Sequence, residues 1–148
     1  MAGSNVPVAL DELETAVLQA CSAEEEWPAQ IAAGVYAGVD FAIARPQLAR
    51  QMAVELPAEG DPSGLYERLI GRLSGFIRVG APTGARLPTS TDEALVAGLV
   101  GLVGDHVRIG RLDRLAELRP ELVLLILLPY LGFAEAQRWA NRSAGEPV

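Results

Sequence analysis

The residues able to do chemistry are few and scattered. His106 is the only histidine and Cys21 the only cysteine in the 148-residue chain. A metal site or a histidine-based acid–base pair needs clustered partners. Asp105 adjoins His106 in sequence, but neighbours on a helix point about 100° apart. His106 falls instead in a stripe of leucines and reads as a packed histidine, able to offer a polar contact across an interface or to a bound molecule. Cys21 has no partner for an internal disulfide, fits a reducing compartment and reads as a small apolar filler. Glu24, Glu25 and Glu26 are consecutive, so they do not converge on one ion and read as a solvated helix start. Gly98, Gly101 and Gly104 lie inside a helical pattern with no strand before them, so they are packing residues and not a nucleotide-binding loop. No spacing suggests a Ser/His/Asp or Cys/His arrangement. The chain is therefore expected not to be an enzyme, with no catalytic, metal-binding or cofactor-binding residue.

The elements that would position any site are helices. Half of the residues are apolar and only 5% are aromatic, so the core must be aliphatic and rich in alanine. Alanine and leucine favour helix, and alternating β-patterns are scarce. The expectation is one all-α domain over residues 1–148 with about seven helices. The net charge is −7 and every basic side chain is an arginine, a balance that disfavours direct binding to nucleic acid or an anionic membrane. No basic segment precedes an apolar stretch at the N-terminus, so no secretory signal is expected. The longest apolar runs fall short of the roughly 20 residues of a membrane span. A cytoplasmic protein is expected.

Punctuation places the helices. The first covers about Val8–Ser22, with Asp11, Glu12 and Glu14 early. Pro28 opens the second, which runs to about Ala44 with Trp27, Ile31, Gly34, Val35, Gly38, Phe41 and Ala42 on one face. Pro46 opens a short third helix ending before Pro57. Asp61 and Pro62 start the fourth, which carries Leu65, Tyr66, Leu69, Ile70, Leu73, Phe76 and Ile77 inward and leaves Arg68 and Arg72 solvated. After an exposed loop at Gly80–Thr91, Ser90 or Thr91 caps the fifth, which Gly110 stops. Arg111–Leu118 forms a short connection. Pro120 opens the next helix, Pro129 ends or kinks it, and the last covers Phe133–Asn141 before a fraying tail from Arg142.

Two of these helices are too apolar for a small monomer. On the fifth, Leu95, Leu99, Leu102, His106 and Ile109 form one stripe, and Val96, Val100, Val103 and Val107 a second beside it. The segment Leu122–Leu128 is apolar all round, and such a helix must be covered on every side. A two-fold bundle of these two helices is the simplest cover. The expected dimer residues are Leu95, Leu99, Leu102, His106, Leu122, Leu125 and Ile126.

The stretch Ala94–Ala140 resembles the end of the regulatory domain of TetR/AcrR-type transcriptional repressors. The matching features are the glycine-containing helix, the Gly110-Arg111-Leu112 connection, Leu118-Arg119-Pro120-Glu121-Leu122, and Leu127-Leu128-Pro129-Tyr130-Leu131-Gly132 before a short helix. Glu26-Trp27-Pro28 opening a long helix, then Phe41 and Arg45-Pro46-Gln47-Leu48-Ala49-Arg50, extend the resemblance over nearly the whole chain. It implies a homodimer through the last two long helices and an apolar pocket for an unknown small effector. Nothing in the chain matches the family's helix-turn-helix, so DNA would be reached only through an attached or partner reader. The alternative is a pocketless module that pairs with a full-length repressor. The pocket would lie among the first five helices. Trp27, Phe41, Met52, Tyr66, Phe76 and His106 are its candidate lining, with Tyr36 as a further aromatic and Asp40 or Arg72 as a polar anchor.

Overall fold

The computed structural model describes residues 6–60, 63–82 and 87–145. They are helical throughout, with no strand among the described residues, as composition predicts. α1 covers Val6–Ser22 and α2 Trp27–Ala44. α3 (Pro46–Arg50) runs through a π-helical turn at Gln51–Glu55 into α4 (Leu56–Glu59). α5 (Leu65–Gly80), α6 (Thr89–Arg108), α7 (Leu112–Glu117), α8 (Arg119–Leu131) and α9 (Phe133–Ser143) complete the order.

α2 is the central helix and packs against α1, α5, α6, α7, α8 and α9. Its alanine-rich sequence keeps its girth small, so neighbours approach from several sides. Pro28 sits in its first turn. Pro46 ends it, because the residue before a proline is driven from helical geometry: Arg45 has φ −133°. α1 folds back on α2 through a short turn, where the Gln30 amide donates to the Glu24 carbonyl. α6 and α8 run antiparallel, since Asp92 meets Tyr130 at one end while Val103, Val107 and Leu122 share a cluster at the other. The larger core joins α1, α2, α5, α6, α8 and α9 around Leu10, Ile126 and Leu127. The smaller gathers Val39, Ala42, Ala49 and Leu115 with those three residues.

Several boundaries differ from expectation. α1 begins two residues before Val8, so no acidic residue falls in its first turn. The third helical run does not stop before Pro57. The π-helical turn carries it on, and Pro57 follows that turn as the second residue of α4. α6 starts at Thr89 without a side-chain cap, so neither Ser90 nor Thr91 has the expected capping role. Pro129 lies inside α8, and Gly132, at φ +80°, ends that helix. The Asp61–Pro62 start signal, part of the Gly80–Thr91 loop and the last three residues of the tail lie outside the described residues.

Candidate functional site

The apolar arc of α2 faces a cavity of about 80 Å³. Ile31, Gly34, Val35 and Gly38 line it from α2, Val17 and Cys21 from α1, and Leu73, Phe76 and Ile77 from α5. Val96 and Leu99 of α6 and Ile126 of α8 close it. A second cavity of about 70 Å³ continues along the same helices. Phe41, Met52, Ala53, Leu69, Val100 and Val103 are among its walls. Gly38, Leu73 and Leu99 line both cavities, so the two are lobes of one apolar slot with these residues at the waist. A side chain at Gly38 would point into open space, because a Cβ there meets nothing within 4 Å.

Polar groups are almost absent from the slot. Gln30 and Cys21 supply them, both at the end beside the α1–α2 turn, and the Cys21 thiol donates to the Gln30 carbonyl at 3.3 Å. Burial pushes the Cys21 thiol above its ordinary pKa.

Of the expected lining residues, Phe76 enters the first lobe and Phe41 and Met52 the second. The other three do not line it. Trp27 is buried at the end of the bundle, where its indole N–H donates to the Ile77 carbonyl at 3.0 Å. Tyr66 packs partly buried against the core. His106 points away from the slot, and its Nδ1 lies 2.8 Å from the Leu102 carbonyl one turn back. The expected polar anchors are also elsewhere. Asp40 pairs with Arg119 at 2.6 Å, and that guanidinium stacks on Tyr36, whose hydroxyl meets Ser143. Arg72 is exposed but ion-paired with Glu14 and Asp11 of α1. Sequence reasoning missed Cys21 and Leu73 as lining. The helical spacing places Leu73 inward, but nothing local says that an inward residue borders a void.

The expected dimer residues split into two groups. Leu122 and Ile126 face the core at 3% and 2% exposure, so they offer no surface to a second copy. On α6 the valine stripe is the buried one, with Val96, Val100, Val103 and Val107 all inside. Leu95, Leu99 and His106 are partly exposed on its flank. Leu102 and Leu125 are exposed, and Leu128 on α8 joins them. Ala94, Gly98 and Gly101 keep the first half of the outer side of α6 small, and the ion-paired Asp105 and Arg108 continue that side.

One polar cluster lies one helical turn beyond the lining residues. Asp92 is buried at 4% exposure, where it accepts from the Tyr130 hydroxyl and from Arg78 Nε at 3.1 Å. Tyr130 meets Trp27 edge to face, with ring centroids 5.2 Å apart. Trp27, Asp92 and Tyr130 each sit one helical turn from a lining residue, namely Ile31, Val96 and Ile126.

No group of His, Cys, Asp and Glu among the described residues could hold a metal ion, and no helix among them is long and apolar enough to cross a membrane. No protein-family model, curated protein or solved structure matches the chain.

Proposed function

We propose that this chain is an effector-binding and homodimerisation domain of a TetR-like transcriptional regulator. The observation that supports it best is that α6 borders both the apolar slot and the exposed leucine and glycine face. A molecule entering the slot would press on Val96, Leu99 and Val100, on the same helix that carries Leu102 and Gly101. A ligand that fits one setting of α6 better than another shifts the population of settings by that difference in affinity. The dimer would use the outer side of α6 with Leu125 and Leu128 of α8, and would act on DNA through an attached or partner helix-turn-helix.

The size of the lobes favours a second reading. Ligand pockets usually enclose about 300–1,000 Å³. A pocketless module that pairs through the same face with a full-length repressor needs no such volume. A thermal-shift screen with a broad apolar library separates the two, since a ligand specific to the folded state raises apparent stability by mass action. A specific shift supports the effector domain. No shift across the library, with dimerisation intact, supports the pairing module.

A further inference from the structure

We infer that the slot takes an unbranched alkyl chain with a neutral polar head, and not a ring compound or a fatty-acid anion. The inference rests on the effector-binding reading and adds the ligand's chemistry.

The shape argues for a chain. The lining residues extend about 12 Å along α1, from Leu13 to Cys21, and as far along α5, from Leu69 to Ile77. The void is divided into lobes of about 80 and 70 Å³. An apolar cavity that admits benzene measures about 150 Å³, so neither lobe alone holds a ring. A polymethylene chain is one methylene wide. About six carbons of it can fill both lobes by passing the waist at Gly38, where the obstacles are the Leu73 and Leu99 side chains, and the rest of a longer chain reaches the partly exposed end.

The chemistry of the walls sets the head group. No charged side chain lines either lobe. A carboxylate drawn into it would find no cation to pair with, which is costly. The polar groups at the partly exposed end are Cys21 and Gln30. The thiol and the Gln30 amide already donate to the Gln30 and Glu24 carbonyls, which leaves mainly acceptors, suited to the donor of a hydroxyl or an amide. Glu24 and Glu26 face the separate α2–α9 groove, so the mouth itself carries no charged side chain.

The test is isothermal titration of the full chain with octan-1-ol, cyclooctanol and octanoate, beside a Gly38→Leu variant. Octan-1-ol and cyclooctanol share carbon number and hydroxyl, and octanoate shares the chain. The expected result is one octan-1-ol per chain, at least tenfold tighter than either competitor. Gly38→Leu should fold, melt higher and lose the binding, because its side chain fills the waist. Cyclooctanol or octanoate binding as tightly as octan-1-ol would overturn the assignment while leaving an effector site in place, provided Gly38→Leu abolishes that binding. No binding of any probe, or binding that Gly38→Leu leaves unchanged, overturns the slot as a ligand site, and the effector-binding reading with it.

Discussion

Asp92 brings a carboxylate into the interior, and its cost is offset by the Tyr130 hydroxyl and the Arg78 guanidinium. Removing one donor leaves a buried acceptor short of partners, a loss of about 1–3 kcal/mol. Tyr130→Phe is therefore expected to lower the unfolding free energy in urea by that amount without changing the helix content. An unchanged midpoint would show that the carboxylate does not depend on the hydroxyl. Two glycines make opposite predictions beside it. A Cβ at Gly80 would lie 2.5 Å from Trp27 Cδ1, against a ring held by its bond to Ile77, so Gly80→Ala should cost about 1–3 kcal/mol. A Cβ at Gly38 meets nothing, so Gly38→Ala should stabilise by about 0.4–1 kcal/mol through the unfolded chain. Equal melting temperatures for the two variants would contradict the packing described. The Cys21 thiol makes a further prediction. Its pKa is raised in the fold, so thiolate forms later there than in the open chain. Stability should hold below about pH 8.5 and fall as pH rises beyond it, as the unfolded thiol ionises first. Chemical denaturation of wild type against Cys21→Ala between pH 7 and 10 reads the difference.

Among the elements, α2 was legible in the sequence and α8 was not. The α2 face predicted from Trp27 to Ala42 lines the slot from Ile31 onward, because its inward alanine, glycine and large residues contrast with Tyr36 and Asp40 behind. α8 offers no such contrast. With apolar residues all round, a helical wheel cannot orient it, and the dimer face expected from the sequence includes Leu122 and Ile126, which turn inward. The leucines that do face solvent, Leu125 and Leu128, differ from them only by tertiary packing. Asp92 carries no local signal of its role, since its partner Tyr130 lies 38 residues away. The π-helical turn at Gln51–Glu55 was hidden behind Pro57, which suggested a stop. It delivers Met52 to the slot and Ala53 to α6, where a Cβ at Gly104 would lie 3.1 Å from the Ala53 Cβ and 3.2 Å from its carbonyl. That is a close approach that glycine allows.

At the scale of the whole molecule, the claim is that one helix serves two surfaces, the slot within and the leucine face without. Surface ion pairs such as Arg45–Glu12 and Arg50–Glu55 contribute little to this, since they are largely solvated. The outer face is the part whose role depends on a second copy, so it can be altered without opening the core. Leu125 and Leu128 are 37% and 39% exposed in the single chain, and replacing both with glutamate should leave that chain folded. Sedimentation equilibrium of wild type beside Leu125→Glu/Leu128→Glu tests the proposal most directly. The expected result is a wild-type dimer and a variant monomer with the same circular dichroism. A wild-type monomer over the whole concentration range, or a variant dimer as tight as wild type, would contradict dimerisation through α6 and α8.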